Sequence, residues 1–307
     1  MLITEAVHAP LDPLGRELRV DLRDGIWSDP ASLQEAVAGC SGLIVRNQTR
    51  VDRRLLGAAP RLRVVGRLGA GLDNLDLDAL RERGVTVVHG GGLNARAVAE
   101  YVLGAALTLA RGLASGDRDV RSGAWNRRTG FELGGKTLGL LGLGRTGAET
   151  GRLAGALGMR VVGHDPYAHG AVTGVEQVAP DELFHRAMVL SLHVPLTPQT
   201  RGIVGRAELA RLPQGALVIN AARGGVVDED ALYDALRGGR LGGAALDVRV
   251  AEPAPPDDRF KTLDNVLLTP HLAGLTEESQ TAIAAHVLDE VRRVLSGSAP
   301  VGPATVA

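Results

Sequence analysis

The sequence has little of what usually cross-links, anchors or polarises a chain. Its one cysteine, Cys40, excludes an internal disulfide and leaves no cysteine-based metal site to expect. No apolar run approaches the roughly 18 residues that span a bilayer. The opening residues, MLITEAVHAPLDPLG, show neither the basic start nor the apolar stretch of a secretory leader. Charge of one sign is also missing: 34 Lys and Arg stand against 35 Asp and Glu, a net charge of −1. That balance gives no bulk attraction to nucleic acid or to an anionic membrane, and neither is expected as a partner. Aromatic residues make up only 3%, so the core must be built from Leu, Val, Ala and Ile. These absences point to a cytoplasmic location and to no bound metal.

Glycine is what the sequence has in quantity. Its 41 glycines are spread among apolar runs, which suggests many tight turns and not disorder. A chain of 307 residues is long enough for two domains, each with its own core. Short apolar runs at 42–47, 63–68, 85–89, 137–142, 160–165, 188–194, 216–221, 243–248 and 265–270 read as strands. They alternate with helix-like stretches such as 77–84, 148–158 and 228–239, the pattern of an α/β fold with parallel sheets covered on both faces. Two long helices, 94–115 and 276–297, have no strand partner of their own and bracket the later strands. The expected architecture is two Rossmann-like or flavodoxin-like lobes. Residues 1–93 and 272–307 would form one discontinuous domain, into which 94–271 is inserted, and a cleft between the lobes is the expected ligand site.

The inserted segment carries GLGRTG, in which Gly142, Gly144 and Gly147 form G-x-G-x-x-G around Arg145 and Thr146. An apolar strand precedes it, a helical stretch follows, and the next strand ends in Asp165, 23 residues after Gly142. This is the dinucleotide-binding pattern, in which pyrophosphate rests on a helix N-terminus and an acid about 20 residues on holds the adenosine ribose. Asp165 would repel a 2′-phosphate, so the cofactor expected is NAD and not NADP. Three later strands each deliver ionisable groups at their carboxyl ends: Arg223 after 216–221, Asp247 and Glu252 after 243–248, and His271 after 265–270. In an open parallel sheet those ends are where ligands bind.

Taken in order, GRLGAGLDNLDLDAL, NARAVAEYVLG, GKTLGLLGLGRTG, HVPLTPQT, INAARGGVVDEDAL, ALDVRVAEP and TPHLAG cover most of the chain. Together they resemble the NAD-dependent D-isomer-specific 2-hydroxyacid dehydrogenases, the family that includes 3-phosphoglycerate dehydrogenase. The resemblance implies that His271 exchanges a proton with the substrate oxygen, Glu252 fixes its ring tautomer, and Arg223 binds the substrate carboxylate. It implies further cofactor contacts from His193, Val194, Pro195, Thr200, Ala221, Ala222, Asp247 and Gly274, with Asp247 meeting the nicotinamide carboxamide. The backbone of Leu68, Gly69 and Ala70 would receive the substrate carboxylate. Arg46, Arg67 and Arg127 fall where phosphoglycerate dehydrogenases carry arginines near the substrate phosphate. They favour a substrate with a second anionic group, such as 3-phosphoglycerate or sulfolactate.

Two departures from the family pattern stand out: VHGGGLNARAV lacks a proline often found there, and Arg249 occupies a position where an aromatic is common. The sequence ends soon after 276–297, so a regulatory domain with serine feedback is not expected. A homodimer through the 94–115 region is implied. The alternatives are a glyoxylate or hydroxypyruvate reductase, which would lack the anionic-tail preference, and a nicotinamide-sensing corepressor that binds partners instead of turning over substrate.

Overall fold

The computed structural model describes residues 1–7, 18–168 and 170–301, and the backbone of 305–306. The chain forms two compact units, residues 1–94 with 275–307 and residues 95–274. The first begins with strands β1 (Leu2–Ile3) and β2 (Asp21–Leu22), then helix α1 (Pro30–Val37), β3 (Gly42–Val45), α2 (Arg53–Ala58), β4 (Val64–Arg67), α3 (Leu77–Glu82) and β5 (Thr86–His89). Its helices start where the sequence supplies caps. The carboxylates of Asp29, Asp52 and Asp76 each accept first-turn amides of α1, α2 and α3, satisfying donors that have no partner inside the helix.

The second unit follows without a break: α4 (Ala95–Arg111), α5 (Leu113–Arg121), β6 (Thr137–Leu141), α6 (Arg145–Ala156), β7 (Arg160–His164), β8 (Glu176–Gln177), α7 (Pro180–Arg186) and β9 (Val189–Leu192). It continues with α8 (Arg206–Arg211), β10 (Ala216–Asn220), α9 (Glu229–Arg237), β11 (Leu241–Leu246) and β12 (Val266–Leu268). The chain then returns to the first unit as α10 (Glu277–Leu295) and β13 (Thr305–Val306).

The first unit's sheet runs β13-β5-β4-β3-β1-β2, parallel throughout except for β13, which pairs antiparallel with β5. Without that edge strand it has the flavodoxin-like order, with a switch point between β1 and β3. The second unit's sheet, β12-β11-β10-β9-β6-β7-β8, is parallel in every pair. Strand order reverses beside β6, so the turn after β6 leaves from the crevice where open α/β sheets bind ligands. Every residue of β6, β9 and β10 is buried, as expected when both faces of a sheet are covered.

All nine strands expected from the sequence are present, with ends shifted by a few residues. The two-residue strands β1, β2, β8 and β13 are too short to leave a periodic signal. The helix expected over 94–115 is two helices that meet at Gly112, where φ is 61° and the axis turns by 59°. Its apolar character has a local cause: α4 buries Val98, Val102, Leu103 and Ala106 in the second unit's core, against Leu138, Leu140 and Ile219. Among the described residues no single helix is long and apolar enough to cross a membrane.

Helix α10 covers one face of the first sheet through Ile283, Val287, Leu288 and Val291. Gly66 lets it approach β4 closely, since a Cβ there would lie 2.8 Å from methyl groups of Val287 and Val291. Leu288 is fully buried in this contact. Leu288→Ala should therefore cost about 2–5 kcal/mol of stability, measured as a lowered denaturant midpoint; a change within error would mean that the helix is not part of the cooperative core.

Candidate active site

The glycine turn is built by close packing. Gly142 follows β6 with φ of 98°, and a Cβ there would meet the His193 carbonyl oxygen at 2.6 Å. At Gly147, inside α6, a Cβ would lie 2.2 Å from the Gly142 carbonyl oxygen. Both positions require glycine for the protein's own backbone to fit. Gly144, the N-cap of α6, differs: a Cβ there would meet nothing within 4 Å, so the helix N-terminus opens onto free space. Arg145 and Thr146 form the first turn beside that opening. Asp165, just after β7, accepts the Leu143 amide at 2.8 Å and the Tyr167 amide at 2.9 Å, one on each carboxylate oxygen. Two oxygens offer about four acceptor sites, so the carboxylate that fixes the turn retains capacity for ribose hydroxyls. An exposed N-terminus on a twelve-residue helix, with an acid beside it, fits NAD.

The loop after β9 packs behind this turn. His193 pairs its Nε2 with the Ser191 hydroxyl at 3.0 Å, and burial pushes its imidazole down to about 4, so the ring is neutral at physiological pH. Val194 packs on the core and Pro195 is exposed. Thr200 closes the loop by donating to the Pro195 carbonyl at 2.5 Å and accepting the Thr197 amide at 2.8 Å.

The remaining groups leave the same edge of the sheet. After β10, buried Asn220 folds the turn, donating to the Arg223 carbonyl at 2.9 Å and accepting the Ala222 amide at 3.1 Å. Half-buried Ala221, Ala222 and Arg223 are thereby fixed at the strand end. Nδ1 of His271 lies 2.8 Å from Glu252 Oε2, while Glu252 Oε1 accepts the Arg249 amide at 2.9 Å. Burial alone pushes the Glu252 carboxyl up. The hydrogen bonds from His271 and the Arg249 amide, with the charges of His271 and Arg223, outweigh it and hold the group below the usual carboxylate range. The Glu252 carboxylate thus meets the His271 imidazole and lies within the field of the Arg223 guanidinium, three groups from three strand ends.

Asp247, expected to meet the nicotinamide carboxamide, stands among several donors of its own chain. Its carboxylate is buried beneath the His271 segment, where Oδ1 accepts the Thr269 hydroxyl at 2.6 Å and the Leu272 amide at 2.8 Å. Oδ2 accepts the Ala273 amide at 2.8 Å, and the Asp247 carbonyl accepts the His271 amide at 2.9 Å. Gly274 ends this segment. His271 itself has φ of 53°, the one non-glycine residue with positive φ among those described. A side-chain-bearing residue in this region costs of order 1–3 kcal/mol unless its surroundings enforce it.

Arg249 anchors the Glu252 loop. Its guanidinium donates to Glu229 at 3.0 and 3.1 Å and to both oxygens of Asp258, and lies over the Phe260 ring, 4.7 Å from the centroid. Glu229 Oε1 also accepts the Val250 amide at 3.0 Å. The substitution of arginine for an aromatic therefore fastens the loop to α9 instead of shaping a ligand surface. Thr269, Glu229 and Asp258 escaped sequence reasoning because each works through contacts outside its own turn, and Asn220 because its turn carries no distinctive motif.

In the first unit, Arg46 follows β3 and donates to the Ala6 carbonyl at 3.2 Å and to Gln280 Oε1 at 3.0 Å. Glu5, buried beside it, accepts the amides of Arg46, Gln48 and Thr49 at 2.8–3.1 Å and shapes this loop. Arg67 ends β4 and folds back over Gly69, its Nη1 donating to the Leu68 carbonyl at 3.2 Å. The Leu68 and Gly69 amides donate to the carbonyls of Val45 and Arg67, each at 2.8 Å. Of these two amides, expected to meet a substrate carboxylate, Leu68 thus bonds to β3 and Gly69 within the turn; half-buried Ala70 follows them. Arg127 belongs to the second unit and is exposed in the irregular segment between α5 and β6.

A doubly wound parallel sheet with this turn at its switch point defines a dinucleotide-binding fold. The family model described as D-isomer specific 2-hydroxyacid dehydrogenase, NAD binding domain, matches residues 103–273. The chain belongs to that family. It is 43% identical over 304 residues to the (S)-sulfolactate dehydrogenase of Chromohalobacter salexigens, covering 96% of this chain and 98% of that one. It is 40% identical over 304 residues to the D-3-phosphoglycerate dehydrogenase of Methanocaldococcus jannaschii, covering 97% of this chain and 57% of that one. The chain thus spans about half the length of the phosphoglycerate dehydrogenases it matches. Among solved structures it resembles the TT0316 protein of Thermus thermophilus (TM-score 0.92, 35% identity, 100% and 99% coverage). It also resembles a D-lactate dehydrogenase of Aquifex aeolicus complexed with NAD and lactic acid (TM-score 0.85, 27% identity, 96% and 95% coverage).

The Arg249 cluster makes a pH-dependent prediction. The Arg249 hydrogen bond, with help from the Phe260 amide, holds the Asp258 carboxyl below its usual range against the opposing effect of burial. A carboxyl depressed by folding contributes stability that is present above its unfolded pKa and lost as pH falls through the folded value. Arg249→Met should cost about 3–5 kcal/mol at neutral pH by taking the cation from two acids, and less near pH ~3, as Asp258 gains its proton. A gap in melting temperature of equal size at both pH values would leave the ion pairs out of the explanation.

Proposed function

We propose that the protein interconverts a small D-2-hydroxy acid and its 2-oxo acid using NAD, and that the substrate carries a second anionic group. The observation that supports this most directly is the His271–Glu252 pair, 2.8 Å apart at the edge of the sheet that carries the glycine turn. NAD, when bound, supplies the two-electron acceptor. Gly144 and the first turn of α6 would hold its pyrophosphate, and Asp165 its ribose hydroxyls.

Catalysis by the chain's own residues is then a matter of proton transfer and orientation. Glu252 occupies Nδ1 of His271, which fixes the tautomer and leaves Nε2 to face the substrate oxygen. In the oxidising direction Nε2 takes the hydroxyl proton, while bound NAD would accept the carbon-bound hydrogen as hydride. In the reducing direction Nε2 returns that proton to the carbonyl oxygen. The Glu252 carboxylate stabilises the imidazolium between these steps. Arg223 suits the substrate carboxylate because its planar fork can donate two parallel hydrogen bonds.

The anionic tail rests on Arg46 and Arg67. They end neighbouring parallel strands whose residues Val45 and Arg67 are register partners, and the Arg46 guanidinium donates to two neutral oxygens. Two of the relatives are named for phosphoglycerate and sulfolactate, acids with a second anion. The same reading makes the protein a cytoplasmic homodimer, with exposed Leu107, Leu113, Val120 and Trp125 as residues a second copy would cover; light scattering on the eluted protein measures that mass.

NADH oxidation against a panel of 2-oxo acids tests the substrate. Phosphohydroxypyruvate or sulfopyruvate should exceed glyoxylate, hydroxypyruvate and pyruvate in kcat/KM, and Arg46→Ala should remove the preference. Higher kcat/KM for glyoxylate or hydroxypyruvate, indifferent to Arg46, would make the protein a reductase of singly charged acids, like the glyoxylate reductase among its structural relatives. His271→Gln should lower kcat by on the order of 10²–10⁴. Retained turnover in that variant would remove the histidine from the chemistry.

A further inference from the structure

His271 is held from below by a chain of hydroxyl groups that the proton-transfer scheme does not use. Asp247 accepts the Thr269 hydroxyl at 2.6 Å, and the Thr269 oxygen lies 2.7 Å from the Tyr101 hydroxyl. The direction of this chain follows from donor counting. A carboxylate only accepts, so the single Thr269 proton goes to Asp247, and Thr269 must accept from Tyr101. Burial, reinforced by the Asp247 charge and partly offset by the Thr269 contact, lifts the Tyr101 phenol to about 12, which keeps its proton in place. Tyr101 comes from the middle of α4, a helix packed into the second unit's core, so the far end of the chain is rigidly mounted.

The near end bears on catalytic geometry. The Asp247 carboxylate binds the Leu272 and Ala273 amides, and its carbonyl binds the His271 amide. These three consecutive amides fix the backbone that carries His271 at φ of 53°. A strained backbone persists where its surroundings over-determine it, and a carboxylate free to rotate would release two of the three amides.

We propose that Tyr101 and Thr269 are positioning residues for the reaction, acting through Asp247 to hold His271 in the backbone conformation from which its ring meets Glu252. This rests on the dehydrogenase reading for its kinetic consequence only. The geometry itself can be read without substrate, from the Nδ1 proton of His271 in protein labelled with ¹⁵N-histidine.

Three variants test it: Thr269→Val, which removes the hydroxyl; Thr269→Ser, which returns it; and Tyr101→Phe, which removes the outer donor. Thr269→Val should lower kcat tenfold to a hundredfold, on the order expected for a small displacement of a catalytic group. KM for the 2-oxo acid and for NADH should stay within about twofold. The His271 Nδ1 resonance, assigned by its loss in His271→Gln, should shift in Thr269→Val and Tyr101→Phe and return in Thr269→Ser. An unmoved resonance in both Thr269→Val and Tyr101→Phe overturns the proposal, as does a kcat loss that Thr269→Ser fails to restore. If the wild-type protein reduces no 2-oxo acid at all, the dehydrogenase reading fails, while the resonance still decides the positioning. If Thr269→Val does not fold, Tyr101→Phe, whose deleted oxygen is one bond further from the carboxylate, carries the same test.

Discussion

A parallel sheet imposes one constraint from which much of this molecule follows: all its strands end at the same edge. In the second unit the residues after β6, β7, β9, β10, β11 and β12 therefore emerge side by side, although they span the sequence from Gly142 to His271. Each strand must be followed by a crossover before the next can begin, and those crossovers bury both faces and leave the strand ends for polar groups. The reversal of strand order beside β6 opens the crevice there. Glycines at 142 and 147 then let the turn and α6 pack against their neighbours at distances no side chain would permit. The first unit repeats the principle on a smaller sheet, where buried Glu5 gathers the amides of the loop after β3.

The polar groups placed at these edges divide by how completely their hydrogen bonds are satisfied. A buried carboxylate is tolerable when several donors surround it and costly otherwise. Asp247 and Glu5 each receive three donors from their own chain, and both shape backbone. Asp165 receives two and stands at the rim, shaping the turn while still offering acceptor sites outward. Glu252 receives one backbone amide and the ring of His271, and like Asp165 it is not buried. The groups proposed to do chemistry are thus those whose partners are fewest or most exchangeable, and the fully satisfied ones hold them in place.

Much of the fold was legible because its signals are local. The nine apolar strands, the glycine turn and the acid after β7 all declare themselves within short windows, and so did His271, Glu252 and Arg223 as strand-end groups. What short windows do not report is of two kinds: a backbone turn enforced at a single glycine, and hydrogen bonds between segments far apart in the chain. Gly112 looked like one glycine within a long helix, yet its positive φ turns the axis between α4 and α5. Asp247 is expected as a cofactor contact, and nothing in its own segment announces the Thr269, Leu272 and Ala273 donors gathered around its carboxylate. The amides of Leu68 and Gly69 are expected to face a ligand, and no short window reports that Val45 on β3 and Arg67 already accept them. No periodicity or spacing reports a hydrogen bond between residues 101 and 269.

Arg249 shows how a departure from a family pattern can be compensated elsewhere. A buried guanidinium is expensive to desolvate, and one carboxylate seldom offsets the cost. Here two carboxylates and an aromatic face surround it, from Glu229 on α9 and from Asp258 and Phe260 further along the same loop. The Arg249 backbone amide meanwhile binds Glu252, and Val250 binds Glu229. Side chain and backbone therefore tie the segment to the domain from opposite sides, three residues before the carboxylate that meets His271. An aromatic residue at 249 would pack without fixing direction. The ion pairs confer orientation, because a guanidinium bound to two acids has one geometry in which all its donors are met.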